Sequence, residues 1–424
     1  MKQTKDPNPG IYPLSAMEGR TPVRVCMLCG TFPPDICGVG DNTSHLVHFL
    51  KQQGMNVTVF TSQKPVGSLG TAQKSLNIRR IFLKWDLRMI IRMIQEIRAA
   101  SFEIIHIQYT PQIYGSRTFA IAFLPWFVRI LTNRQVLVTC HEIYTPFIND
   151  LRQNLLIFLN RIKDTILLAG CSGVIVSLPR RADRLKRLFP WKKNRIHVVP
   201  SGPNIIPELC FPDGPTPTNG RDGRIRQRAR FGVPENGMLL SSFGMLHIDK
   251  RYDLLFKYMR HLIDKGEHVY LMLIGAYSDD HPYYKYLKKC IDDLDLKSYI
   301  IWTGAGTSAE VSVWLSMTDI YVMTDIRGAS ARKSSLLSAL SHGLPIVSNR
   351  GSDTADTFVD GENIVLVPQE DEEGFVERLS RLLHAPEERN RIGANARNLY
   401  ESSFAWEILS ERNIKLYIEY ASRV

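Results

Sequence analysis

The sequence has no long apolar run. None of its runs reaches the roughly 18–20 residues that a helix needs to cross a bilayer. The longest candidate, residues 119–127, contains Pro125 and is followed by Arg129. The first ten residues, MKQTKDPNPG, lack the apolar core of a signal peptide, and we expect residues 1–20 to form a flexible tail. These absences argue against an integral membrane protein.

Cysteine is scarce and odd in number, with seven residues. Cys26 and Cys29 form a C-x-x-C, but they lie in a strand-like pattern with no second pair nearby, so zinc and redox chemistry are disfavoured. Five of the seven lie in or beside apolar runs, as buried thiols do. This usage favours a reducing cytoplasm.

Common catalytic signatures are also missing. The chain contains no G-x-S-x-G elbow, no Walker loop and no H-E-x-x-H helix. Its composition is that of an ordinary globular protein, with 44% apolar and 22% charged residues. At 424 residues it is too long for one core, so two domains are expected.

Negative charge is sparse in the first half. Residues 1–205 hold 27 Lys or Arg and 11 Asp or Glu, a net charge of +16, whereas residues 206–424 hold 26 and 31, a net of −5. A basic half suggests an anionic partner, either nucleic acid or the inner membrane leaflet. Because no arginine and lysine cluster is interleaved with aromatic stacking positions, we favour the membrane and expect no nucleic-acid binding.

The first half alternates apolar strands with helices, the pattern of parallel sheets covered on both faces. Residues 42–53 have helical periodicity. Residues 84–98 form an amphipathic helix, with isoleucines on one face and Arg88 and Arg92 on the other, that either packs on the sheet or lies on a membrane. The strands are expected at 23–29, 57–60, 104–107, 136–139, 174–176 and 197–199.

Periodicity breaks at residues 206–236, which are rich in Pro, Gly and charge and are expected to form a linker. A second alternation follows, with helices beginning at Tyr252 and Tyr283. The fold class is therefore α/β, with two Rossmann-like doubly wound domains facing a cleft, and ligands are expected at the carboxyl ends of the strands. The later strands are expected at 239–242, 270–274, 300–302 and 320–323.

Residues 319–347 predict an anion site. A buried strand leads into a loop with Gly328, and a helix opens at a Lys-Ser-Ser run. Free backbone N–H groups and the helix dipole attract anions at such a place. A solvated basic loop is the alternative, since short patterns of this kind arise by chance. The cations that this stretch supplies are Arg327, Arg332 and Lys333.

Seven segments stand out in their order along the chain. They are FPPDICGVGDNT (32–43), HVVPSGPNI (197–205), FGMLHIDKRYDLL (243–255), LMLIG (271–275), IIWTGA (300–305), ALSHGLPIVS (339–348) and DGENIVLVP (360–368). Together they resemble the GT-B glycosyltransferases, specifically the large family 4 group. The final helix, Trp406 to Tyr420, resembles the segment that returns to the N-terminal domain.

This resemblance implies transfer of a sugar from a nucleotide diphosphate sugar to a saccharide or lipid-linked acceptor, in polysaccharide or glycoconjugate biosynthesis. It also implies retention of anomeric configuration and no need for a metal or another cofactor. The protein is expected in the cytoplasm, or peripheral at the inner face of the cell membrane. The expected division is a tail (1–20), an N-terminal acceptor domain (21–205), a linker (206–236), a C-terminal donor domain (237–402) and a returning helix (403–424).

The resemblance places donor binding at the loop that opens the second domain. Bond breaking loads negative charge on the β-phosphate, which requires fixed cations and N–H donors. Gly244 lies in this loop, and Lys250 matches the family's phosphate-binding lysine. The companion arginine is replaced by Met245, and Arg251 stands where glycine is usual. A solvated lysine at a helix start is the alternative.

The family's E-x7-E motif has lost both glutamates. Alignment puts Ser330 at the first and Ser338 at the second, which normally holds the ribose hydroxyls. We hypothesise a substitute diphosphate cradle, with Ser338 as a weaker ribose partner. The cradle would consist of Arg332, Lys333, Ser334 and Ser335.

On the N-terminal domain, His141 follows a strand and precedes Glu142. Family members carry a histidine at this strand end that contacts the donor sugar or acceptor, whereas a lone histidine can equally be a capping or packing residue. His106, at another strand end, and Glu142 are candidates for acceptor binding.

The first glycine loop supplies further candidates. Gly38 and Gly40 would let the backbone approach the diphosphate, although a bare G-x-G is weak evidence. Asp35 and Asp41 could bind acceptor hydroxyls, and Asp41 is equally suited to cap a helix.

Several functions stay open on the sequence alone. No paired acid and base is evident, which fits front-face transfer in which the leaving phosphate takes the acceptor's proton. Loss of the glutamates also permits a non-catalytic sugar or nucleotide sensor or a partner subunit. Epimerisation or hydrolysis of a sugar nucleotide would need acidic groups that the pattern does not place.

Overall fold

Two parallel β-sheets form the framework of the chain. The computed structural model describes residues 23–35, 37–63, 76–115, 118–211 and 220–423. The expected tail, residues 1–20, lies outside this description. The α/β fold class with two Rossmann-like domains is confirmed, because each sheet is flanked by the helices that connect its strands.

The first sheet has seven strands in the order β3-β2-β1-β4-β5-β6-β7. Its strands read as nearly continuous buried runs, as expected for a sheet covered on both faces; in β4 all six residues are buried. The strands are β1 (Arg24–Cys29), β2 (Asn56–Ser62), β3 (Asn77–Phe82), β4 (Ile104–Tyr109), β5 (Gln135–Cys140), β6 (Gly173–Val176) and β7 (Ile196–Val198).

The second sheet has six strands in the order β10-β9-β8-β11-β12-β13, all paired in parallel. Apolar helices cover it on both sides. Its strands are β8 (Met238–Phe243), β9 (Val269–Ile274), β10 (Ile300–Gly304), β11 (Ile320–Met323), β12 (Ile346–Arg350) and β13 (Val365–Pro368).

The strand order reverses direction at one place in each sheet, between β1 and β4 and between β8 and β11. At such a switch point the connections leave to opposite sides and open a crevice at the carboxyl ends of the strands. A ligand site in the second sheet is therefore expected at the residues that follow β8 and β11.

The helices connect successive strands and are numbered here in chain order. They are α1 (Gly38–Gln52), α2 (Leu87–Ala100), α3 (Ala120–Thr132), α4 (Leu151–Gly170), α5 (Pro179–Leu188), α6 (Pro207–Cys210), α7 (Gly220–Ala229), α8 (Tyr252–Asp264), α9 (Pro282–Asp293), α10 (Ser308–Ser316), α11 (Ser334–Ser341), α12 (Glu372–His384), α13 (Pro386–Leu399) and α14 (Trp406–Ala421).

Two helices begin away from their predicted positions. α1 begins at Gly38, four residues before the predicted start, so both glycines of the first loop lie in its first turn. α2 begins at Leu87 because Asp86 caps it, its carboxylate accepting hydrogen bonds from the backbone N–H groups of Arg88 and Met89.

The predicted linker, 206–236, is helical in part of its described portion, where α6 and α7 form. Two of the basic residues in this segment hold α7 in place. Arg224 and Arg228 both pair with Asp319, at 3.0 and 2.7 Å. Strand β3 was not predicted, since its arginines at 79 and 80 interrupt the apolar pattern.

The chain divides into two compact units. Among the described residues, one unit comprises those within Asp35–Leu46 and Gly173–Asn413, and the other comprises those before Asp35, within Val47–Ser172 and from Ile414 onwards. The end of α14 thus belongs to the unit that contains β4, where the Tyr417 hydroxyl lies 2.6 Å from Nδ1 of His106. In the part of the chain that the structure describes, no helix is both long and apolar enough to cross a membrane.

Candidate active site

Two glycines and a lysine meet at the carboxyl end of β8. Gly244 follows the strand directly, with a φ of +119°. A Cβ on Gly244 would lie 2.5 Å from Nζ of Lys250, and a Cβ on Gly275 would lie 2.5 Å from the carbonyl oxygen of Gly244. The backbone and the lysine ammonium therefore meet without an intervening side chain, an arrangement that lets a ligand approach the backbone closely.

Lys250 is held over the end of β8. It closes a short 3-10 turn, Ile248–Lys250, and its Nζ donates a hydrogen bond to the carbonyl oxygen of Phe243 at 2.8 Å. Burial lowers the pKa of Lys250 to about 8, and the carboxylate of Asp325 opposes this effect. At neutral pH the ammonium stays charged in a partly desolvated place, where a neighbouring anion would stabilise it strongly.

The N-terminus of α11 lies at the same edge of the sheet. Its N-cap residue, Lys333, makes no side-chain capping hydrogen bond. Ser335, in the first turn, has its Cβ 3.6 Å from the position that a Gly244 Cβ would take. The switch point thus brings a helix start, a glycine loop and a lysine ammonium together, which are the components of an anion site.

The three cations that the sequence offers to this site are each paired with a carboxylate. Asp325, the acceptor for Lys333, is only 2% exposed and follows β11 by two residues. Sequence reasoning missed these three acidic partners; the position of Asp325 just after a buried strand was the available signal. The pairs are Lys333–Asp325 at 2.5 Å, Arg332–Asp353 at 3.2 Å and Arg327–Asp249 at 3.4 Å.

Two predicted donor-binding residues, Lys333 and Arg251, have pKa values that are shifted in opposite directions. Burial lowers the pKa of Lys333, with Asp325 acting in the opposite direction. The guanidinium of Arg251 pairs with Asp253 at 3.3 Å, and this hydrogen-bonded partner raises its pKa. The structure therefore gives Arg251 a local acidic partner on α8.

Both serines at the glutamate positions are buried. Ser330 is 1% exposed and Ser338 is fully buried. The hydroxyl of Ser338 lies 3.0 Å from Oδ1 of Asn204 and 2.8 Å from the carbonyl oxygen of Ser334, and it accepts a hydrogen bond from the backbone N–H of Ile205. This hydroxyl is thus engaged within its own unit, where the family's glutamate would present a charge.

A chain of polar side chains runs from His141 into the interior of its own unit, the one that contains β4. Nε2 of His141 lies 2.8 Å from Oε1 of Gln108, and Nε2 of Gln108 lies 3.3 Å from Nε2 of His106. The other nitrogen of His106 reaches Tyr417, as described above. Gln108 was not a sequence candidate, although it stands two residues after His106 on β4 and so faces the same side of the sheet.

His106, predicted to line an acceptor site, is buried in the structure. Its side chain is fully buried, with both ring nitrogens in hydrogen-bonding contacts, to Tyr417 at 2.6 Å and to Thr139 at 2.7 Å. Burial lowers the pKa of His106 to about 3, and the nearby His141 acts in the same direction. His106 thus contacts Gln108 within the sheet, and its role in acceptor binding stays a prediction.

The remaining candidates flank the start of α1. Gly38 is exposed and Gly40 is buried, both in the first turn. Asp35 lies just before them and has one carboxylate oxygen, Oδ2, that is buried with no hydrogen-bond partner among the described residues. Burial raises the pKa of Asp41 to about 6. Glu142, directly after His141, is partly exposed.

The comparisons with known proteins point to one family. The model of the glycosyl transferases group 1 matches residues 223–399, and the model of glycosyltransferase family 4 matches residues 36–205. Between them, the two matches include the loop after β8, the start of α11 and His141.

A curated relative is the D-inositol 3-phosphate glycosyltransferase of Streptomyces griseus. It is 23% identical over 266 residues, which are 60% of this chain and 55% of that protein. The chain thus spans little more than half the length of the curated relatives that it matches first.

Solved structures show the same fold. The Anabaena protein Alr3699/HepE in complex with UDP has a TM-score of 0.73 over 94% of this chain and 100% of that chain, at 14% identity. A glycosyltransferase from Rickettsia africae has a TM-score of 0.72 over 95% and 99%, also at 14% identity. With two family models matched in the order that the GT-B fold requires and both sheets in place, the chain belongs to the family 4-like glycosyltransferases of GT-B fold.

Proposed function

We propose that the protein transfers a sugar from a nucleotide diphosphate sugar to a saccharide or lipid-linked acceptor, in polysaccharide or glycoconjugate biosynthesis. The observation that carries this proposal is the meeting of Gly244, Lys250 and the start of α11 at the switch point of the second sheet. The related Anabaena structures contain UDP and UDP-glucose, which supports a nucleotide sugar as the donor.

Lys250 is proposed as the principal cation for the leaving diphosphate. Cleavage of the glycosidic bond places negative charge on the β-phosphate, and a preorganised cation in a partly desolvated site stabilises that charge far better than water does. Lys250 is bonded to a backbone carbonyl, so its positive charge is not cancelled by a hydrogen-bonded carboxylate. The backbone N–H groups at the start of α11 would complete the phosphate contacts.

Arg332 and Lys333 are proposed to contribute less than Lys250 to binding of the diphosphate. Each has an acidic partner within 3.2 Å, which cancels much of its field at the distance of a phosphate. Their ion pairs would fix the loop that leads into α11, so that Ser334 and Ser335 meet the diphosphate with their N–H groups and hydroxyls. Arg251 and Ser330 would shape the surface of the donor site. Ser338 would act indirectly, through its hydrogen bond with Asn204.

Acceptor-binding roles are proposed for Asp35 in one unit and, separately, for His141 and Glu142 in the other. Asp35 has a buried carboxylate oxygen without a hydrogen-bond partner among the described residues, as a group awaiting a ligand hydroxyl would. His141 is oriented by Gln108, and Glu142 follows it in the chain. Gly38 and Gly40 would bring the start of α1 close to the diphosphate. The acceptor's proton is proposed to leave with the phosphate oxygen, without a protein base.

A second function is favoured by one observation. Both glutamate positions hold buried serines, and the nearby cations are already paired, so a donor could bind without being cleaved. The protein would then be a non-catalytic sugar or nucleotide sensor or a partner subunit.

One experiment separates the two functions. The protein is incubated with UDP-, GDP- and ADP-sugars, and thermal stabilisation and release of the free nucleoside diphosphate are both measured. Release that depends on an added acceptor supports the transferase, whereas stabilisation without release supports the sensor. Release of a nucleotide carrying an altered sugar would instead indicate epimerisation, and no binding at all would contradict both functions.

Mechanistic details of the transferase are tested on the same reaction. We propose retention, which NMR of the anomeric proton in the product checks, and metal independence, which turnover in excess EDTA checks. We also propose a cytoplasmic location, in keeping with seven free cysteines. The basic first half supports work at the inner face of the cell membrane.

A further inference from the structure

Three neighbouring helices of the first sheet form one outer layer, here called the helical face: α2, α3 and α4 with the loop before α4. These helices connect β3 to β4, β4 to β5 and β5 to β6, and each connection moves in the same direction across the sheet. Right-handed crossovers therefore place all three on one side. α3 packs against α2 on one flank and α4 on the other.

The helical face exposes large apolar side chains where a solvated layer should be polar. Along α3, residues 123, 126, 127, 130 and 131 are exposed and apolar, while the opposite side of the helix is buried and apolar as well. A helix that is apolar all round is normally covered on all sides. Ile130 is 75% exposed, Leu151 on α4 is 89% exposed and Ile91 on α2 is 62% exposed. Exposed large apolar side chains on three adjacent helices mark an interaction surface.

Charge decides what covers this surface. The three helices carry seven Lys or Arg against two Asp or Glu, and the loop before α4 adds Glu142 and Asp150, so the face as a whole has a net charge of +3. On the helices, Glu96 pairs with Arg79 and Arg92, and Asp164 is buried and accepts a hydrogen bond from Tyr109 at 3.0 Å. Among the described residues, Arg88 and Arg152 have no carboxylate within ion-pair distance. The face therefore carries more cations than anions around its apolar centre, with Arg88 and Arg152 among the cations.

Trp126 extends this pattern at one edge. A pocket of about 270 Å³ is lined by Trp126, Arg129, Ile130 and Arg134, with Asn133 and Gln135. Two guanidinium charges outweigh the roughly half charge of opposite sign at the C-terminus of α3. An indole beside an apolar helix and two arginines is suited to the boundary between lipid chains and headgroups.

We propose that the helical face docks on a bilayer that contains anionic lipids, with α3 lying in the interface and the arginines meeting headgroup phosphates. Its helices have 14, 13 and 20 residues, and none meets the criterion for a membrane span, so the face lies on the bilayer without crossing it. A second copy is a poorer occupant, since apposing two identical faces would bring like charges together. Docking would hold the enzyme beside a lipid-linked acceptor, but it does not depend on catalysis.

The test is sedimentation of the full-length protein with vesicles. Vesicles of phosphatidylcholine alone are compared with vesicles that contain phosphatidylglycerol, at low and high salt. We expect binding to the anionic vesicles only, weakened by salt. Replacing Arg88 and Arg152 by Gln should lower the partition coefficient about thirtyfold, since each basic residue near an anionic surface contributes roughly fivefold.

The apolar centre is tested separately. The double variant I130E/L155E should lose binding, whereas V359E, which alters an exposed apolar residue of the other unit, should keep it. Thermal stabilisation by the nucleotide selected above serves as the folding check for each variant. Equal binding to neutral and anionic vesicles, or unchanged binding by both charge and apolar variants, would overturn the proposal. So would a dimer in solution that I130E/L155E dissociates, because the face would then be covered by a second copy.

Discussion

At the scale of single residues, the site is defined by which charges are compensated. Lys250 is held by a carbonyl oxygen, whereas the other candidate cations nearby each have a carboxylate partner. Sequence could find Lys250, because its place in a glycine loop resembles the family pattern. It could not find the ion pairs, since Asp353 lies 21 residues from Arg332 and Asp249 lies 78 residues from Arg327. Such pairings are decided by the sheet topology.

Replacement of Lys250 should be the most damaging change at the site. We expect K250M to lower kcat/KM by about a hundred- to a thousandfold, the usual loss when one preorganised group for a developing anion is removed. Methionine keeps the buried stem of the side chain, so folding should be preserved. K257M removes an exposed lysine of α8 and should leave kinetics unchanged. Equal rates for K250M and wild type would remove Lys250 from the mechanism.

Nucleotide affinity should depend on pH through Lys250. Its folded pKa of about 8 lies below the ordinary 10.5, so the free protein loses this charge as pH rises through about 8. Calorimetric titration with the nucleoside diphosphate should therefore show weaker binding from pH 7 to pH 9. K250M should show no such decline.

The lowered pKa of Lys250 also affects stability. Between pH 8 and 10.5 the folded state binds fewer protons than the unfolded state, so Lys250 makes the free energy of unfolding rise with pH over this window.

His141 offers a prediction about positioning. Gln108 accepts a hydrogen bond from Nε2 of His141, which selects the ring's orientation. We expect Q108L to lower kcat about five- to tenfold, the scale of one lost hydrogen bond, with a smaller change in KM. Q108E retains an acceptor for Nε2 of His141 and should restore turnover. A Q108E variant as slow as Q108L would indicate a packing role only.

At the scale of elements, the loop after β8 and the start of α11 act through their backbone. The sequence predicted both strands, because buried parallel strands read as continuous apolar runs. It did not predict that α1 begins at Gly38, since two glycines in a first turn carry no apolar periodicity. The serines at 330 and 338 were predicted as donor residues, but the hydrogen bonds of Ser338 to Asn204 and Ile205, distant in the chain, could not be predicted.

Glycine 244 tests the close approach of the backbone. G244A would place a Cβ 2.5 Å from the Lys250 ammonium at a φ of +119°. G266A is a matched control, with a φ of +85° and no atom within 4 Å of its Cβ. Both should lose about 1–2 kcal/mol of unfolding free energy from backbone strain. Only G244A should also weaken nucleotide binding, at least tenfold in calorimetry. Matching affinities in the two variants would contradict the proposed contact.

The ion pair between β11 and α11 should be structural. K333M leaves Asp325, which is 2% exposed, without its ammonium partner. Removal of one partner of a buried pair costs several kcal/mol in general, and partial exposure of Lys333 reduces this to about 1–3 kcal/mol. The double variant D325N/K333M should recover much of the loss in urea unfolding. Additive losses in the double-mutant cycle would show that the pair does not stabilise the fold.

At the scale of the whole molecule, the two-sheet architecture was readable because alternation, length and seven ordered segments all agreed. The division of the chain into domains and a linker was harder to predict from the sequence. Composition suggested a linker at 206–236, whereas Arg224 and Arg228 hold a helix there through Asp319. The uneven charge was visible in sequence, but the meeting of basic and exposed apolar residues on the helical face required the fold.

The most direct test of the central claim is a crystal of the protein soaked with the nucleoside diphosphate that the binding panel selects. We expect density for the β-phosphate within hydrogen-bonding distance of Lys250 Nζ and of the first N–H groups of α11. Density for the diphosphate at any other place, or none beside Lys250 at saturating ligand, would contradict it.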